Sequence, residues 1–380
     1  MGATPEWRAL LQCASPSAEA SNLHEVFSNP LHWPSLLSLA DEHGIQPLLN
    51  ARLRAADIDP PPEIQRQLQD AQRAQVIFTL SLAAELFRVL DIFASEGIEV
   101  LLTKGPALAA RCYEDSASRQ YSDLDFVAHN ADMVRATKTM IALGYEPKVP
   151  MQSIEAGKFP GEYVFVRRDT KLMMEFHTER TFRYHPRPLC VDKLFERRSS
   201  VRFDGREVPA LSVQDELILI SIHAAKHFWT RLMWVADVAA LVSRQNVDWD
   251  RAIAAAREVS AERMLRIALL LAVNVLGARV PARIRSFVRS DTGAIRMAAN
   301  VARQLPLGES ITFGIFRRAA FRIRMRGGLL QGSAYLLRLS LLPTEEDWVS
   351  GAEEKRSWIV DAAARPFRLA RKYRRRERVQ

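Results

Sequence analysis

The stretch that decides the fold is Arg119-Gln120-Tyr121-Ser122-Asp123-Leu124-Asp125-Phe126-Val127. On a strand, residues two apart share a face, so Asp123 and Asp125 present paired carboxylates while Leu124 and Phe126 turn towards a core. Neighbouring carboxylates repel each other, and the pairing is costly unless a cation lies between them. Hard oxygen ligands of this kind suit Mg²⁺ or Mn²⁺ bridging phosphate oxygens. Alone, the Asp-x-Asp pattern also suits a solvated strand edge or a turn. A second stretch, Leu172-Met173-Met174-Glu175-Phe176-His177, adds a further acid. Glu175 and His177 fall on one face and Met174 and Phe176 on the other, so a third carboxylate on a neighbouring strand completes the set a two-ion site requires. The plainer alternative makes Glu175 an edge residue with a surface partner. His177 is expected to orient a neighbour.

Working outward, Ile98 to Leu102 is a β-prone run that ends at Thr103-Lys104-Gly105-Pro106. A helical stretch (107–113), a polar loop (114–121) and a helix over 131–143 closed by Gly144 surround the first acidic strand. Tyr163 to Arg167 and Lys171 to His177 flank Arg168-Asp169-Thr170 as a hairpin. Residues 1–97 read as helical, most clearly Ala71 to Glu96, where Val76, Leu80, Ala83, Leu86, Leu90 and Phe93 follow the helical period until Gly97. From Val213 the chain is helical again, through Leu241 and then from Asp250 to Leu276. The expected organisation is a helical N-terminal region (1–97), an α/β core (98–210), a helical domain closing a cleft (211–305) and a basic helical segment (306–380). The fold class is therefore α+β, a mixed sheet flanked by helices.

Charge and composition narrow the chemistry. The net charge is +9 on 380 residues, yet residues 311–380 hold 16 Lys/Arg against 7 Asp/Glu, and the first 310 are balanced. A nucleic-acid surface over the whole body is thereby disfavoured. The basic segment, with Arg317, Arg318, Arg322, Arg324 and Arg326 and then Arg368 to Arg378, suits a solvated helix end or peripheral contact with an anionic membrane. Nucleic acid comes third, because no recognition fold accompanies the arginines. Three widely spaced cysteines exclude a disulfide framework and fit a reducing compartment. No apolar run matches a signal peptide or a membrane span, so a soluble, cytoplasmic body is expected.

The run Leu101 to Leu108 with Lys104-Gly105, followed by Tyr113, Arg119 and Ser122-Asp123-Leu124-Asp125-Phe126-Val127, resembles the nucleotidyltransferase superfamily. More narrowly, it is similar to the poorly characterised nucleotidyltransferase family proteins often encoded near bacterial polysaccharide-synthesis genes. Outer pieces extend the resemblance: Glu42 to Leu48, His223-Ala224-Ala225-Lys226-His227, Arg231 to Asp237, and Arg365-Pro366-Phe367-Arg368. The resemblance implies a nucleotidyltransferase-like mixed sheet with a Mg²⁺ or Mn²⁺ site at its edge. Asp123 and Asp125 match its metal-binding pair and Glu175 its third acid. Lys104-Gly105 stands where better-known members have Gly-Ser. Gly105 still allows backbone to approach a phosphate, and Lys104 brings charge in place of the hydroxyl.

Other candidates flank this set. Arg119 suits a bidentate phosphate contact or neutralisation of the acids, and Ser122 lies at the strand entrance. His223 and His227 share a helix face, but the sequence lacks the Glu of a zinc-protease helix. Lys226 and His227 either line the cleft opposite the carboxylates or, with Arg231 and Asp237, belong to a polar seam between the helical domain and the α/β unit. The leading expectation is a metal-dependent enzyme that moves a nucleotidyl group from a nucleoside triphosphate to an unidentified acceptor. The rival is a non-catalytic binding or scaffold protein of a cell-envelope polysaccharide system that retains the fold.

Overall fold

A computed structural model describes residues 4–113, 115–157, 161–182, 189–310 and 314–342. Among the described residues, seven strands form one mixed sheet: β1 (Val100–Thr103), β2 (Asp123–Ala128), β3 (Tyr145–Pro147), β4 (Glu162–Arg167), β5 (Met173–His177), β6 (Ser199–Phe203) and β7 (Arg206–Ala210). Their order across the sheet is β3-β4-β5-β2-β1-β7-β6. The acidic strand β2 is central, antiparallel to β1 and parallel to β5. β4 and β5 form the antiparallel hairpin that the Arg168-Asp169-Thr170 turn predicts.

Register explains the two faces. Leu102, Phe126, Phe176 and Tyr163 lie side by side across β1, β2, β5 and β4, and all are buried. They pack beneath Leu82, Leu86, Val89 and Phe93 of the helix Pro62–Ser95. The Phe176 ring centroid lies 5.1 Å from that of Phe126 and 5.7 Å from that of Phe93. Each such ring removed from water contributes about 1.5–3 kcal/mol, and this anchors β2 from below. The adjacent row, one residue along each strand, brings Thr103, Asp125 and Glu175 into register on the opposite face. A second core joins helices from the two ends of the described chain, including Leu10, Leu36 and Leu49 with Leu265 and Leu269.

Several elements depart from the sequence reading. The helix expected over 71–96 begins earlier, at Pro62, where a proline suits the first turn. The helix expected from Val213 through Leu241 is two, Val213–Lys226 and Leu232–Arg244. Between them Phe228 and Trp229 take positive φ of 60° and 51°. No Gly or Pro marks this break; burial of both rings holds the strained turn. The β6–β7 hairpin also went unanticipated, although Asp204-Gly205 lies between alternating buried residues Val201, Phe203, Val208 and Ala210. Both turn residues have positive φ, as that dipeptide prefers in a two-residue hairpin. Among the described residues, no helix is long and apolar enough to cross a membrane. Arg365-Pro366-Phe367-Arg368 and the arginines that follow lie outside the described residues.

Candidate active site

Strand register brings the acids together. Asp125 and Glu175 are direct neighbours on parallel strands, and Asp123 precedes Asp125 by two residues on the same face. Asp125, Glu175 and His177 each offer a ligand atom, and these atoms all lie within 4.8 Å of one another. Among the described residues, this cluster contains His177, which the sequence reading assigned only an orienting role, beside two of the three predicted acids. His177 Nε2 lies 2.8 Å from Asp125 Oδ1. Asp123 stands at the entrance, on the wall of the cavity that Asp125 also lines.

Lys104 follows β1 in a strained conformation, with φ 50° and ψ −140°. Its amide donates to Glu216 Oε1 at 2.7 Å, and the Thr103 hydroxyl donates to both oxygens of the same carboxylate. Pinned at its backbone, Lys104 folds its side chain back, and Nζ donates to Asp125 Oδ1 at 2.6 Å and lies 3.3 Å from His177 Nε2. Gly105 follows with φ 22°; a Cβ there would approach the Asp123 carbonyl oxygen to 3.2 Å. The absence of a side chain is required at that turn.

The electrostatics follow from crowding. Burial and the charges of Asp125 and Glu175 push the Asp123 carboxyl up to about 6. Burial and Asp125 likewise raise Glu175. For Asp125 burial acts in the same direction, but Lys104 and His177 outweigh it and hold the group ionised, well below the usual carboxylate range. Burial opposes the Lys104 charge, yet Asp125, Glu175 and Asp123 raise its pKa. The set therefore combines one firmly ionised acid, two acids whose charge is costly, and one retained cation. That imbalance favours a further cation.

A cavity of about 340 Å³ opens beside these groups, lined by Phe78, Tyr121, His223 and Trp234 as well as by Lys104, Gly105, Arg119, Ser122, Asp123 and Asp125. Arg119 lines it but is committed elsewhere: Nε and Nη2 donate to Asp237 Oδ1 and Oδ2 at 2.8 and 2.9 Å, both residues buried. Tyr113 donates to the same carboxylate at 3.1 Å. Arg119 reaches the acids only through space, as one of the charges that lower Asp123. Ser122 is exposed at the start of β2.

The helix Val213–Lys226 presents His223 to the cavity. Burial, then Lys104 and His227, hold the His223 pKa far below its ordinary value, so it is neutral. Lys226 and His227 are exposed. Lys226 Nζ donates to Glu162 Oε1 at 2.8 Å, and Glu162 Oε1 lies 3.9 Å from His177 Nδ1. Burial opposes the Glu162 charge, but Lys226 and His177 draw its pKa down to about 2. The His227 ring centroid is 4.8 Å from that of His223 and 5.2 Å from that of Trp234.

Glu216, His223 and Asp237 were absent from the predicted site. A signal existed for one of them: Asp237 sits in a helix that is otherwise apolar up to its last turn, and a buried acid there demands a partner. The outer sequence pieces also meet in space. The Leu232 amide donates to His43 Nδ1 at 3.1 Å, and the Met233 amide to the His43 carbonyl at 3.1 Å.

An acid cluster on a central strand, a Lys-Gly turn beside it and a helical wall thus meet around one cavity. Residues 29–277 match the model of a family described as an uncharacterised nucleotidyltransferase, and the chain belongs to that family. Among solved structures, a lincosamide antibiotic adenylyltransferase with lincomycin bound matches at 16% identity and a TM-score of 0.30, covering 43% of this chain and 97% of that one. No curated protein matches the chain.

Proposed function

We propose that the protein is a metal-dependent nucleotidyltransferase that moves a nucleotidyl group from a nucleoside triphosphate to an acceptor. The observation that supports this most is the placing of Asp123, Asp125, Glu175 and His177 on one sheet face, with ligand atoms of the last three within 4.8 Å of one another, beside Lys104-Gly105 and an open cavity, in a chain of this family. The donor set fits a hard divalent ion: several carboxylates, two with raised pKa, next to a histidine. Asp123, Asp125 and Glu175 would hold Mg²⁺ or Mn²⁺, with His177 steadying Asp125. Bound there, the ion would supply charge neutralisation at the phosphate oxygens.

The chain's own groups do the rest. Gly105 lets backbone come close to the triphosphate, and Lys104 places positive charge at the same edge. Phe78, Tyr121 and Trp234 give the cavity apolar surface for the organic part of a substrate. Glu175, the third acid, orients the acceptor and takes its proton. The acceptor oxygen bonds to the α-phosphorus as the bond to the β-phosphate breaks, and pyrophosphate leaves.

Calorimetric titration with Mg²⁺ and nucleoside triphosphates should show binding that Asp123→Asn/Asp125→Asn removes. Pyrophosphate release in the presence of an acceptor pool should follow the same pattern. No nucleotide binding by the wild type and no pyrophosphate with any acceptor would sink the enzyme reading. The Lys104–Asp125 ion pair favours a second reading in that event, a binding protein on the same fold whose central acid is already paired with a lysine.

A further inference from the structure

Building on the nucleotidyl-transfer reading, we propose that Lys104 is a resident cation standing where a second divalent ion would bind, so that the site takes one ion. Its Nζ contacts Asp125 Oδ1 at 2.6 Å and lies 3.3 Å from His177 Nε2. Among the three residues whose ligand atoms gather within 4.8 Å, Asp125 is therefore already paired with an ammonium, which also lies beside His177.

Asp125 is the acid in the middle of the group, in register with Thr103 on one side and Glu175 on the other. A carboxylate shared by two ions gives one oxygen to each. Here Oδ1 takes both Lys104 and His177, which leaves the second oxygen, together with Asp123 and Glu175, for an ion. An additional divalent ion at Oδ1 would meet a like charge at contact distance.

Lys104 is also unlike a surface lysine that strays. Its side chain is 12% exposed, and its backbone is fixed by positive φ and by the bond to Glu216. Formal charge points the same way. Asp123, Asp125 and Glu175 bring three negative charges, which Lys104 and one divalent ion balance; a second divalent ion would leave a surplus of two before any nucleotide arrives.

The test counts Mn²⁺ on the full-length chain in the presence of a non-hydrolysable nucleoside triphosphate, by electron paramagnetic resonance of free Mn²⁺ and by calorimetry. The wild type should bind one Mn²⁺ per chain, Lys104→Met two, and Lys104→Arg one. Because Lys104→Met leaves the acids uncompensated, its melting temperature should fall in EDTA and recover with Mn²⁺. Lys104→Gln, purified in Mn²⁺, is counted alongside and should also bind two. Two Mn²⁺ on the wild type would overturn the proposal while leaving nucleotidyl transfer standing. A count of one for both Lys104→Met and Lys104→Gln would overturn it as well. Absence of both Mn²⁺ and nucleotide from every form would take the nucleotidyl-transfer reading down with it.

Discussion

Removing the carboxylate of Asp237 should destabilise the protein through Arg119. The guanidinium donates twice to Asp237, at 2.8 and 2.9 Å, and the two residues are 7% and 2% exposed. Water cannot replace the lost partner without entering the helix interface. Burial opposes the Arg119 charge, but Asp237 outweighs it and raises the pKa, so Arg119 remains charged. Breaking one side of a buried pair of this kind costs about 3–5 kcal/mol. Asp237→Ala should therefore lose most of that range, with part of the loss arising from the Tyr113 hydroxyl, which also donates to Asp237. Arg119→Met/Asp237→Leu removes both charges together and should recover at least about 2 kcal/mol of the sum of the single losses. Urea unfolding followed by far-ultraviolet circular dichroism measures each form, with the slope checked for constancy. An Asp237→Ala loss below about 1 kcal/mol, or strict additivity in the cycle, would show a solvated pair and refute the argument. Arg119 would then be free to meet a phosphate.

The remaining tests concern other parts of the molecule. Glu85 accepts from Arg88, Arg167 and Tyr145. Burial opposes its charge, but these partners lower its pKa below the ordinary 4.5. Its contribution is thus present above pH 4.5 and lost as pH falls through the lowered value. Acid titration of stability should show that slope in the wild type and a shallower one in Glu85→Gln; equal slopes would exclude the network. Gly44 has φ 67°, and a Cβ there would come within 2.9 Å of Met233 Sδ. Gly44→Val should cost about 1–3 kcal/mol and narrow the cavity, and an unchanged melting temperature with unchanged nucleotide affinity would contradict this. Leu330, Leu337 and Leu341 lie on one exposed stripe of the helix Leu329–Leu341, with Arg317, Arg318, Arg322, Arg324 and Arg338 on the same hairpin and no acid among residues 314–342. Sedimentation with anionic vesicles should fall several-fold in Leu330→Glu/Leu337→Glu, whereas loss only on removing residues 365–380 would assign the contact to the terminal arginines.

What the sequence made legible was whatever local periodicity encodes. Asp123, Asp125 and Glu175 could be placed on one face because alternation along β2 and β5 is a two-residue rule, and Leu124, Phe126, Met174 and Phe176 mark the buried side. The hairpin at Arg168-Asp169-Thr170 was readable for the same reason. The Phe228-Trp229 break was not, since only the packing around the rings makes a left-handed turn tolerable there. Nor could periodicity say that Lys104 would turn back onto Asp125 or that Arg119 would choose Asp237. Both choices depend on residues more than 100 positions away, Glu216 and Asp237, whose approach is set by tertiary packing.

That dependence makes the site a joint product of sheet and helices. Glu216 holds the Thr103-Lys104 turn, Asp237 holds Arg119 and Tyr113, and the Arg111 guanidinium donates to the Leu211 carbonyl at the junction. Cutting the chain at 210 would expose one entire wall of the cavity and leave Arg119 with neither its partner nor its burial. A fragment of residues 98–210 should therefore lack fixed tertiary structure, losing near-ultraviolet dichroism while keeping part of its strand signal. A fragment of residues 4–310 keeps the His43–Leu232 contact, Glu216, His223 and Asp237, and should melt cooperatively. The family match over residues 29–277 is consistent with this, since it contains both sides of each of those contacts. Cooperative melting of 98–210 alone would show that the sheet positions its acids unaided and that the helices only cover them.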